Sequence, residues 1–374
     1  MKSKDVLLSR AAPIVAGFAL AGAFGLAQAA PAGIGAVYTM TNAAGSNAVM
    51  VYPRASDGTL GAGQAYATGG AGLGGALGSQ GSVKLSADGR WLFAVNAGSN
   101  DLSVFATNRL GLILTDRVAS GGTEPVSVAT HGDVVYVLNA GSDAVSGFTI
   151  DLNGKLTPIP DSTHALDGSG TGAAQLDFSP DGAALVVTEK TTSQILVFPV
   201  GSDDLLGNPV IYPSATPVPF GFAFGRFGEF FVSEANPGQA DLSTLASYRL
   251  LTGGGARVQN PSASTHQSSA CWVAVTGSGN YVYTSNPASN SITGFSVGPG
   301  GSLTLLSPNG LSAATGDGSA PLDMGMDRGS HYLYALDSGN GSISAFSIAA
   351  NGSLGSVQTL SAGLPASAYG LAAQ

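Results

Sequence analysis

The sequence predicts an all-β fold, a seven-bladed β-propeller of four-stranded antiparallel blades closed by its C-terminal strand. Three observations carry this. A unit of roughly 43–55 residues recurs seven times, short apolar runs alternate with glycine turns, and the chain starts and stops out of phase with its own repeat.

The recurring unit is clearest in "WLFAVNAGSNDLSVF" (91–105), "VVYVLNAGSDAVSGF" (134–148) and "ALVVTEKTTSQILVF" (184–198). Aligning the central strand on its aromatic or apolar anchor gives Tyr38, Phe93, Tyr136, Val186, Phe231, Tyr283 and Tyr334. A second aromatic follows in the next strand at Tyr52, Phe105, Phe148, Phe198, Tyr248, Phe295 and Phe346. The third copy shows the four strands plainly as "PVSVAT", "VVYVLN", "AVSGFTI" and "KLTPIP". "ADGR", "PDGA" and "GSGN" join the first strand to the second. "DGTL", "NGKL", "GGSL" and "NGSL" join the third to the fourth. Glycine supplies the positive φ that such hairpins need. Four short strands per repeat of this length define a propeller blade.

Closure follows from the ends. The first copy opens at "GAVYTMTN" with no innermost strand before it, and the chain finishes in "PASAYGLAAQ". Residues 367–372 are expected to complete the blade begun at Ala36, so that no sheet edge is left free.

Residues 1–29 read as a signal peptide. Lys2, Lys4 and Arg10 precede the apolar "AAPIVAGFALAGAFGL", and Ala27-Gln28-Ala29 is a small-residue cleavage site. Residues 30–374 are then one propeller domain, periplasmic or secreted, with no membrane insertion after cleavage. Removing the leader leaves 11 basic and 22 acidic side chains, a surface that excludes nucleic acid as a partner. Cys271 is the one cysteine, so no internal disulfide supports the fold. The histidines, His131, His164, His266 and His331, follow no metal-ligand spacing. No cofactor or metal is expected, and the chain is expected to be a monomer.

The end of each second strand and the start of each first strand share one face, so a ligand site is expected at that channel mouth. The residue ending the second strand is Asn96, Asn139, Glu189, Glu234, Asn286 and Asp337 in blades two to seven. Asn and Asp suit a turn there; Glu does not. Glu189 and Glu234, from neighbouring blades, are therefore expected either to face each other as an acid–base pair, with Lys190 beside them for an oxyanion, or to serve a structural salt bridge that Lys190 neutralises. First-strand starts add Gln80, Glu124, Gln175, Phe220 and Trp272 as ligand-binding candidates. The glycine-rich connection at 67–81 is read as a flexible lid or a plain solvated loop.

"LSADGRWLFAVNAGSNDLSVF" and the "SPDG…LVVTEK…I-x-VF" spacing of 179–198 resemble the lactonase-type seven-bladed propellers. That group includes the bacterial 6-phosphogluconolactonases and the fungal 3-carboxymuconate lactonising enzyme. The resemblance implies a mouth that handles small lactones or sugar-like ligands. It also implies a His in the fourth blade and an Arg-His pair in the fifth. Here Ala174, Phe220 and Gly221 stand at those positions, and Glu234 lies one place before the family's Glu. Two readings follow: an exported hydrolase of a small uncharged lactone, or a non-catalytic propeller that binds a small ligand, glycan or protein through the same face.

Overall fold

The computed structural model describes residues 34–109, 111–226, 228–237, 239–251 and 255–374. The expected signal peptide, residues 1–29, lies outside them. The described residues form seven antiparallel sheets of four strands, in chain order from the axis outward in all but the first blade. Blades 3 and 6 split the outermost strand into two pieces, Leu156–Pro158 with His164–Ala165, and Leu303–Leu305 with Ala313–Ala314. The helical segments among the described residues are three single 3₁₀ turns. No helix there is long and apolar enough to cross a membrane.

Closure occurs as the sequence predicts, shifted by two residues at its start. Tyr369–Ala373 pairs antiparallel with Gly35–Met40, matching Tyr38 to Ala372 and Thr39 to Leu371. The last strand thus becomes the innermost strand of blade 1, and both edges of Gly35–Met40 are paired.

Strand parity explains the two aromatics per blade. The third-strand aromatic pairs with the residue before the anchor, as in Leu92 with Phe105, Val135 with Phe148 and Leu333 with Phe346. Successive residues of a strand face opposite ways, so each blade offers one large side chain to each neighbour. Three anchor tyrosines also reach the next blade's outer turn. Tyr136, Tyr283 and Tyr334 donate their hydroxyls to the carbonyls of Asp204, Gly352 and Gly58, at 2.8, 2.7 and 2.9 Å. Packing and a hydrogen bond therefore register one sheet on the next.

A second latch lies at the mouth. The residue turning the chain from second to third strand adopts positive φ at Asn100, Ser193 and Asn290. Its side chain accepts the amide that opens the next blade: Glu124 at 2.7 Å, Val218 at 3.2 Å and Ala320 at 3.0 Å. Each accepted amide belongs to a positive-φ residue preceding a proline. The proline makes right-handed helical backbone unfavourable there, and the latch holds the resulting bend.

Candidate functional site at the channel mouth

The polar residues that end the second strands do not line the mouth. Asn96, Asn139, Glu189, Glu234, Asn286 and Asp337 are all fully buried. They turn outward toward the third strand. Asn96 donates to Ser103 Oγ at 2.8 Å, Asn286 to Thr293 Oγ1 at 3.0 Å, and Asp337 accepts from Ser344 Oγ at 2.6 Å.

The two glutamates follow the same rule, which corrects the expectation of a facing acid–base pair. Glu234 accepts from Ser214 and Thr216 of the incoming connection and from Thr244 and Tyr248 of its own third strand, at 2.6–3.3 Å. Glu189 accepts from Thr192 Oγ1 at 2.6 Å, and its Oε1 has no partner. Burial raises the Glu189 pKa; hydrogen bonds from Thr192 and the Asp167 amide oppose this, and the Asp167 and Asp143 charges add to it. The carboxylates share no partner, and neither has solvent exposure through which to activate water. Their side chains reach the preceding blade's connection, as Asn139 also does through Ser120, so they act as joints between blades.

Lys190, the residue after Glu189, does reach the mouth. Its ammonium sits 4.9 Å from the centre of the Phe220 ring and donates to the carbonyl of Gly78. Burial pulls its pKa down to about 8, against the opposing influence of Cys271 and Glu124. Half-buried Glu124 is the nearest carboxylate influence on it. Phe220 packs on Trp272 with ring centres 5.0 Å apart, and Trp272 packs on Tyr369 at 6.3 Å. Trp272 is 2% exposed, so it is a buried support for Phe220 and offers no stacking face. Cys271 is buried, and burial pushes its thiol up to about 12, which makes it inert as a nucleophile.

The connection at 67–81 is no free lid. Gly72, Leu73 and Gly74 bond to residues 42–43 of blade 1, and Ala71 accepts from Gly98 and Ser99 of blade 2. Its inner end then enters the channel. Ser79 donates to Val126 and accepts from the Trp272 indole, both at 2.9 Å. The Gln80 amide donates to Ala174 at 3.1 Å and its carbonyl accepts from Ser127 at 2.6 Å. The Gln80 carboxamide pairs both ways with the Val273 backbone, at 2.8 and 3.0 Å. Residues 79–81 are thereby bonded to blades 3, 4 and 6 and form a plug.

This plug accounts for a departure noted in the sequence. A Cβ on Gly221 would lie 2.1 Å from Gln80 Oε1. Glycine stands where the resemblance implies a His because the Gln80 carboxamide occupies that space. Gln175 makes a parallel staple, pairing with the amide and carbonyl of Phe222 at 2.7 and 2.9 Å. Gln80 and Gln175 thus bind backbone and face the channel below the plug, while Lys190, Glu124 and Phe220 stay above it. Sequence reasoning missed the plug, whose contacts join residues 193 positions apart.

The architecture and its mouth define a class: a closed seven-bladed propeller with one amine set against an aromatic wall above a plugged channel. The family model "Lactonase, 7-bladed beta-propeller" matches residues 35–168 and 248–367, and the chain belongs to that family. The interval between the two matched stretches holds blade 4 and the inner part of blade 5, with Lys190 and Phe220. No curated protein matches the sequence. Among solved structures, the chain resembles the periplasmic gluconolactonase of Pseudomonas aeruginosa, with a TM-score of 0.69, 16% identity, and coverage of 89% of this chain and 98% of that one. A Lactobacillus plantarum protein gives 0.72 at 16% identity, covering 91% and 99%. A candidate 6-phosphogluconolactonase from Bacteroides uniformis gives 0.68 at 20%, covering 90% and 98%. At such identities the likeness is one of fold.

Proposed function

We propose that this lactonase-family propeller hydrolyses a small, uncharged sugar lactone at its mouth, with Lys190 as the proton-transfer group. The observation that carries the reading is the Lys190 amine, lowered to about 8 and set over the Phe220 ring. A group titrating near the working pH suits general acid–base catalysis. In its neutral form Lys190 takes a proton from water as the oxygen adds to the lactone carbonyl. It returns that proton to the ring oxygen as the acyl–oxygen bond breaks, leaving the hydroxy acid. Phe220 supplies an apolar wall for the carbon face of the sugar ring, and Glu124 steadies the ammonium between the two transfers. Phosphorylated lactones are poorer candidates, because an acidic protein needs local cations to hold a phosphate and the mouth offers one lysine. The leader and the periplasmic likeness support an exported protein starting near Ala30.

The test is turnover of D-glucono-1,5-lactone above its spontaneous hydrolysis. Lys190→Met is expected to lower kcat by about 100-fold or more. Wild-type turnover in that variant would overturn the assignment. A second reading, a binding module without turnover, is favoured by one observation: Gln80 fills the space that the family's His would use. In that case a lactone raises the melting temperature without being consumed.

A further inference from the structure

Below the plug the channel continues as a chamber of about 380 Å³, opening on the face opposite the mouth. Gln80 and Gln175 close its inner end, with both carboxamides spent on the Val273 and Phe222 backbones. Its walls mix polar and apolar surface, with Leu85, Val275, Met326 and Leu371 among the apolar side chains. Lys84 and Asp177 pair across it at 2.7 Å and neutralise each other. Two carboxylates remain. Asp327, at the outer rim, is satisfied by its own turn, accepting from the His331 and Tyr332 amides at 2.7 Å each. Asp323 differs: it lines the chamber, is 2% exposed, and its Oδ2 has no hydrogen-bond partner.

A buried carboxylate oxygen without a partner is costly, and such groups call for a donor. We propose that the chamber binds a small organic ammonium ion, its head on Asp323 and its apolar body along Val275 and Met326. A positive head answers the unpaired oxygen and the excess of acidic groups. The apolar part of the lining answers a carbon body, and the volume suits a small ligand. A metal ion fits less well. Among the described residues no group of three or more His, Cys, Asp or Glu side chains could hold one. The amides of Gly81, Met324 and Leu371, together with Lys84, favour the ionised Asp323, yet burial outweighs them and holds its carboxyl well above the usual range. Lys84, Asp177, Asp327 and Tyr369 are the titratable groups around it. An ammonium ion ionises Asp323 on binding and releases a proton. The plug separates this chamber from Lys190, so the inference stands apart from the lactonase reading.

The experiment is calorimetric titration of the exported protein with benzylammonium chloride, alongside benzyl alcohol and calcium chloride. Saturable binding of benzylammonium is expected, at least tenfold weaker in Asp323→Asn, with lactone turnover unchanged in that variant. Lys84→Met, which removes the like charge and frees Asp177, is expected to tighten binding several-fold, and it serves if Asp323→Asn fails to fold. Equal affinity in Asp323→Asn, unchanged or weaker affinity in Lys84→Met, an equal response to benzyl alcohol, or a response to calcium alone would overturn the proposal.

Discussion

Asp337 shows how one position is used differently around the ring. Asn96, Asn139 and Asn286 hold the same place and each donates to a hydroxyl on the third strand. Asp337 can only accept when ionised; Ser342 and Ser344 donate to its Oδ2, and Oδ1 is left without a partner. Burial raises its pKa to about 7, with the two serine hydrogen bonds opposing the shift. Because the folded value is raised, the native state holds the proton more tightly than the unfolded chain. The stabilising effect is full below pH ~4 and is lost as pH rises through 7. Asp337→Asn, which keeps an amide in place of the ion, is therefore expected to stabilise the fold by about 1–3 kcal/mol at pH 8 and by much less at pH 5. Chemical denaturation at the two pH values checks this; an equal effect at both would contradict it. The sequence made the oddity of Glu189 and Glu234 visible, since glutamate is a poor turn former. It could not show which way they turn, because that depends on connections 18–22 residues away in chain, as for Ser214, Thr216 and Asp167.

At the scale of elements, the strands and their closure were legible because local signals repeat. Glycine hairpins, alternating apolar residues and a second aromatic at near-constant spacing all recur, and an unpaired strand at each end asks for a partner. Tyr369–Ala373 supplies it, with Tyr369 and Leu371 each 5% exposed. Removing residues 369–374 strips one side of Gly35–Met40 and opens the ring. Loss of a cooperative melting transition is expected, and an unchanged melting temperature would contradict closure by this strand. The plug was not legible. Its glycines and Gln80 look like a solvated loop, and only the folded ring brings them against Ala174, Trp272 and Val273. Gly81 needs its left-handed φ of +81°, and a Cβ there would lie 2.9 Å from Ser127 Oγ.

For the whole molecule, the plug turns one channel into two compartments of unlike chemistry. Above it, an amine is made less basic by burial and set against an aromatic ring. Below it, a carboxylate is made less acidic by burial and left with an unmet oxygen. The closed ring holds Asp323 on a strand and Lys190 directly after one, without a disulfide. The Lys190 shift also bears on stability. Its folded pKa is lowered, so the unfolded chain binds more protons between pH 8 and 10.5, and this residue's contribution to stability rises across that window, while Cys271, whose folded pKa is raised, works the other way above pH 9. The most direct measurement is the pH dependence of kcat/KM for D-glucono-1,5-lactone, corrected for spontaneous hydrolysis, in wild type and Lys190→Met. A rising limb centred near pH 8 in the wild type and absent from the variant is the expected result. The same limb in both proteins, or no turnover in either, would contradict catalysis by Lys190.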